Sequence, residues 1–171
     1  MASSNELKQW DGAVIVALGS NLSGEYDSPR ALLEAAQRAM TRAGLTVARV
    51  SRFWRSKAWP DPADPPYVNA ICLVETDLPP AALLGLLHRI EQDFGRDRRV
   101  ANAPRTLDLD LIAYGRIVTE APALPHPRAH ERKFVMGPLA QIAPEWTHPV
   151  LGRTAAALAG TASVGRDAAP I

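Results

Sequence analysis

The chain has 171 residues, 47% of them hydrophobic and 22% charged, with a formal charge of +1. Such a composition describes one globular domain that buries about two-thirds of its unfolded surface. It excludes wholesale disorder and any global pull toward nucleic acid or membrane. The single cysteine, Cys72, lies in an apolar run, so neither a disulfide framework nor a thiolate metal site is available. Residues 1–12 lack the apolar core of a signal peptide and read as a flexible N-terminal segment, which sets a cytoplasmic expectation.

Residues 13–18 (AVIVAL) read as a buried strand, ended by Gly19-Ser20-Asn21. A helix is predicted from Ser28-Pro29, with serine as the cap and proline at the first helical position. Leu32, Ala35, Ala36, Ala39 and Met40 recur at helical spacing, and Gly44 supplies the stop. Residues 45–54 alternate well enough for a second strand. The proline-rich stretch that follows, SKAWPDPADPP, cannot enter a sheet interior. Residues 67–76 (YVNAICLVET) form a predicted third strand. Asp77 and Pro79-Pro80 open a second helix, with Leu83, Leu84, Leu87, Ile90 and Phe94 on one face and Gly95 closing it. A fourth strand is predicted over 107–113. Then come a loop carrying Pro125-His126-Pro127, an apolar stretch over 134–142 and a short helix near 154–159. Residues 161–171 read as a tail, leaving 13–160 as the single domain. The order β-α-β-β-α-β is the split βαβ, or ferredoxin-like, arrangement of an α+β fold: an antiparallel sheet with helices packed on it and extra C-terminal elements.

Chemistry concentrates in FGRDRRVANAPRTLDLDLIAY, residues 94–114. On a strand, Asp108 and Asp110 point the same way, roughly 7 Å apart, while Leu107, Leu109 and Leu111 face the core. Two adjacent carboxylates repel unless a cation lies between them, and an all-oxygen ligand set suits magnesium. Asp-x-Asp by itself also fits a solvated edge strand. Arg105 just before it, and Arg96 and Arg98 just after the second helix, favour an oligophosphate partner, because guanidinium forks match phosphate oxygens. No Walker loop or Rossmann fingerprint occurs, so phosphate would be held by side chains and metal. Tyr67 and Asn69 share a strand face and suit a flat heterocycle with a polar edge; a core tyrosine and a turn-side asparagine are the plainer reading. His126, Arg132 and Phe134 bring an imidazole, a cation and an aromatic to one later loop.

The ordered set ALGSNL (17–22), YVNAICLVET (67–76), FGRDR (94–98), APRTLDLDLIAYG (103–115) and LPHPRAHERKFVMGPLAQIAP (124–144) resembles the 6-hydroxymethyl-7,8-dihydropterin pyrophosphokinase family. The resemblance runs from about Val14 to Trp146. It implies ATP-dependent transfer of diphosphate to a hydroxymethyl-dihydropterin, giving AMP and the pterin diphosphate, in folate biosynthesis. It further implies two magnesium ions on Asp108 and Asp110, and catalytic roles for Arg96 and Arg105. ATP contacts are implied for Glu91, Arg98, Leu111, His126 and Arg132 as well as for Arg96 and Arg105. A pterin site is implied at Tyr67, Asn69 and Phe134, completed by backbone groups near Ser56–Trp59. Two positions depart from the family pattern: Ala101, where an arginine is frequent, and Pro127, where a tyrosine is frequent. The expected partners are small molecules rather than nucleic acid or membrane, with the chain a monomer. A ferredoxin-like RNA-binding module and a different metal-dependent nucleotidyltransferase are the competing classes, and the products formed from ATP and the pterin separate all three.

Overall fold

The computed structural model describes residues 10–58, 61–95 and 106–171. Its strands are β1 (Val14–Ser20), β2 (Thr46–Val50), β3 (Trp54–Ser56), β4 (Tyr67–Glu75), β5 (Asp108–Tyr114), β6 (Thr119–Glu120), β7 (Ala123–Leu124) and β8 (Ala169–Pro170). Its helices are α1 (Pro29–Arg42), α2 (Pro80–Asp93), α3 (Lys133–Ile142) and α4 (Ala155–Thr161). The main sheet runs β5-β1-β4-β3-β8, with β2 also on β4, and each of its pairings is antiparallel. β6 and β7 form a separate hairpin.

The start of α1 follows from its sequence. The Ser28 hydroxyl accepts the Ala31 amide at 3.1 Å, and Pro29 needs no donor in the first turn. The predicted second strand, however, is two. β2 pairs with the end of β4 and β3 with its beginning, and Ser51 lies between them. There the Ser51 hydroxyl accepts the Ile71 amide at 2.9 Å, a bond that a backbone carbonyl would otherwise supply. The ladder therefore bends without leaving a buried donor unpaired.

Both faces of the sheet are covered. On one, Val14, Val16, Leu18, Cys72, Leu107, Leu109 and Leu111 pack against α1 and α2. On the other, Ile15, Ile71, Leu73 and Ile112 pack against α3, α4 and Trp146. This explains why β4 is buried continuously from Val68 to Val74 instead of alternating. The second cover is partial. On β5 it includes Ile112 and stops short of Asp108 and Asp110, which stay half-buried.

The last residues, read from the sequence as a tail, belong to the packed structure. β8 pairs with β3, and the Ile171 amide donates to the Phe53 carbonyl at 2.9 Å. No helix among the described residues is long and apolar enough to cross a membrane.

Candidate active site

The site occupies the uncovered end of the second sheet face. In register, Asp110 stands opposite Ala17 and Asp108 opposite Gly19 on β1; Gly19 in turn stands opposite Asn69 on β4, and Tyr67 opposite Ser56 on β3. Strands about 4.8 Å apart place Asp108 and Asn69 about 10 Å from each other, across a floor without bulky side chains. Together with α3 and the chain beyond α4, these strands enclose a cavity of about 340 Å³. That volume suits a small planar ligand and part of a second one.

Asp108 and Asp110 line the cavity from β5. Across β1, on β4 and β3, stand Tyr67, Asn69 and Ser56, and Phe134 lines the cavity from α3. Asn69 is buried, and its Nδ2 donates to Ser56 Oγ at 3.1 Å. This bond fixes the amide so that Oδ1 lies over Gly19, where a Cβ would come within 3.0 Å of it. Glycine at position 19 is therefore a matter of room. Arg132 immediately precedes α3 and sets its guanidinium 5.8 Å from the centre of the Phe134 ring.

His126 lies beside β5, its amide donating to the Ile112 carbonyl at 2.8 Å. Its Nδ1 accepts the Arg128 amide at 3.2 Å, so the neutral ring carries its proton on Nε2. Burial holds its pKa below the ordinary 6.5; the Asp110 carboxylate pulls the other way, and Arg132 and Arg128 add to the lowering. At neutral pH it is therefore an uncharged N–H donor near Asp110.

Three residues assigned to ATP by resemblance, His126, Glu91 and Leu111, lie outside the cavity lining. Glu91 is fully buried on α2, and its Oε2 accepts the Leu109 amide at 3.3 Å. It acts on the backbone between the two aspartates. The Leu111 side chain is buried in the helix-side core. Any contact of Leu111 with a ligand falls to its backbone, which by strand alternation shares the outer edge of β5 with the Leu109 amide. Arg96, Arg98, Arg99, Ala101, Arg105 and Trp59 lie outside the described residues, and Pro127 is exposed.

Sequence reasoning missed Val164, which lines the cavity together with Lys57, a member of the Ser56–Trp59 stretch expected to complete the pterin site. Val164 has no periodic context and falls in the supposed tail. Among the described residues no group of three or more His, Cys, Asp or Glu side chains is placed to hold a metal. Asp108 and Asp110 alone would leave most of the coordination sphere to water and to ligand oxygens, which is the manner of magnesium at phosphate sites.

The family model for 7,8-dihydro-6-hydroxymethylpterin-pyrophosphokinase matches residues 15–144. The 2-amino-4-hydroxy-6-hydroxymethyldihydropteridine pyrophosphokinase of Synechocystis sp. is 43% identical over 149 residues, which cover 86% of this chain and 74% of that protein. The enzyme of the same name from Haemophilus influenzae is 40% identical over 137 residues, covering 78% of this chain and 83% of that protein. Among solved structures, wild-type HPPK-DHPS of Plasmodium falciparum superposes with a TM-score of 0.66 at 12% identity, covering 86% of this chain. An HPPK-DHPS in complex with substrates gives 0.68 at 10% identity, again covering 86%. These two are likenesses of fold, and this chain spans only 40% and 42% of those longer chains.

Proposed function

We propose, for a chain that belongs to the 7,8-dihydro-6-hydroxymethylpterin-pyrophosphokinase family and transfers diphosphate from ATP to 6-hydroxymethyl-7,8-dihydropterin in folate biosynthesis, that the two substrates meet in the cavity between β5 and α3. The observation that carries this reading is one cavity lined by two carboxylates on β5 and, across β1, by Tyr67 and Asn69 on β4.

The pterin ring lies at the end formed by Tyr67, Asn69 and Phe134. Aromatic faces on the two sides stack a flat ring, and the Asn69 amide, fixed by Ser56, reads its edge. The triphosphate lies across Asp108 and Asp110. Asp108 and Asp110 would hold magnesium, two ions by the family resemblance, and the metal would supply charge neutralisation at the phosphate oxygens. Arg132 and the His126 Nε2–H supply further donors to phosphate oxygens. Arg96, Arg98 and Arg105 are assigned to the same task, on their positions in the sequence motif. In the transfer, the hydroxymethyl oxygen bonds to the β-phosphorus, the bond from that phosphorus to the bridging α-oxygen breaks, and AMP leaves while the hydroxyl proton is released. Such a reaction asks little covalent work of the protein, so alignment and charge neutralisation carry the rate.

The test is product analysis with ATP and the pterin alcohol. AMP and a pterin diphosphate are expected from the native chain, with near-complete loss in Asp110→Ala at an unchanged far-ultraviolet spectrum. Native turnover in Asp110→Ala would refute the carboxylate assignment.

A further inference from the structure

We propose that the C-terminal segment is a working wall of the acceptor site: Val164 and Gly165 set the Phe134 ring, and Asp167 couples it to the loop after β3. The family match ends at residue 144, so these residues fall outside it. The proposal rests on Phe134 lying at the pterin end.

The segment is built in at both ends. Next to α3, the Val164 amide donates to the Glu131 carbonyl at 2.9 Å, and its carbonyl accepts the Lys133 amide at 2.8 Å. Val164 thereby bridges Arg132 in parallel, and both line the cavity. Gly165 adopts φ +68°, and a Cβ there would come within 2.6 Å of Phe134 Cδ1. Its backbone therefore lies directly against the ring and restricts where the ring can sit. At the far end, Asp167 Oδ2 accepts the Lys57 amide at 2.6 Å, and β8 continues the sheet beside β3. One short strap thus joins the Phe134 wall to the Ser56–Lys57 wall across the cavity. A ligand stacked on Phe134 meets Val164 at its side, so the strap sets the width available to a planar bicyclic acceptor.

Calorimetry on the full chain, with 6-hydroxymethylpterin and, separately, magnesium-ATP, tests this. Val164 is about half exposed, at 45%, so Val164→Ala is expected to fold. It should weaken pterin binding about five- to tenfold, near the low end for one lost hydrocarbon contact, with ATP affinity unchanged. Asp167→Ala should also weaken pterin binding, and Asp167→Asn, which keeps an acceptor for Lys57, should restore it. Native pterin affinity in Val164→Ala and Asp167→Ala overturns the proposal, and so does an equal loss for both ligands. Phe134→Ala is the control: if it leaves pterin binding intact, the placement of the pterin end itself is wrong. If it weakens binding while the strap variants do not, only the strap's role falls.

Discussion

Removing the Glu91 carboxylate should loosen β5 from beneath the site. The group is fully buried, and its Oε2 accepts the Leu109 amide between the two aspartates. In Glu91→Ala that amide loses this partner in a place water does not reach, and an orphaned buried donor costs about 1–3 kcal/mol. At 3.3 Å the bond is long, so the lower part of that range applies, about 1–2 kcal/mol. With a urea slope near 2 kcal/mol/M, the unfolding midpoint should fall by about 0.5–1 M. Glu91→Gln keeps an acceptor for Leu109 and should fall between the two. Because β5 carries Asp108 and Asp110 while the proposed pterin site rests on β4 and α3, Glu91→Ala should also raise KM for ATP more than KM for the pterin. A native urea midpoint in Glu91→Ala would refute the reasoning, as would equal rises in both KM values.

Burial, with His130 and Arg116 adding to it, lowers the His148 pKa below 6.5, so protonation favours the unfolded chain. Its stabilising contribution is complete above about pH 6.5 and is lost as pH falls below that toward the folded value. His148→Asn, whose Oδ1 can replace Nδ1 as acceptor for the Val150 and Leu151 amides, should flatten the fall in melting temperature between pH 7.5 and 5.5; an unchanged slope would contradict this. Gly137→Ala places a Cβ 2.6 Å from the Trp54 ring, which Gln141 holds through a 2.9 Å bond, and should cost about 1–3 kcal/mol by thermal unfolding. Ser28→Ala removes the cap of α1 and should cost about 1 kcal/mol in the same assay, leaving KM for both substrates alone.

What could be read from the sequence is what depends on local chemistry and period. Ser28-Pro29 marks the start of α1 because cap and φ preference act within one turn. The two-residue alternation put Asp108 and Asp110 on the face away from Leu107, Leu109 and Leu111, and the cavity lies on that face. Elements fixed by distant partners could not be read this way. The break between β2 and β3 depends on one hydroxyl reaching Ile71, and a serine in a strand carries no such signal. β8 is two residues long and includes a proline; only its pairing with Trp54 and Arg55 makes it a strand. Val164 reaches the cavity because the chain after α4 returns to the sheet edge, which no periodicity near it encodes.

The acids stay open to the cavity because of where the cover over the second face stops. Asp108, Asp110 and Ile112 follow one another on the same face of β5, yet Ile112 packs under α3 and α4 while the aspartates line the cavity. A one-residue slip of β5 along β1 would turn Leu109 and Leu111 into the site and drive two carboxylates into the apolar layer beneath α1 and α2. That penalty pins the register. The irregularity in the β1–β5 pairing falls between Ile15 and Val16, past the Val16–Leu111 pair, so the pairs that place Asp110 against Ala17 and Asp108 against Gly19 remain regular. The bulge thus alters the strand under the α3–α4 cover, where apolar packing absorbs it, and leaves the carboxylate geometry to the undisturbed part of the ladder.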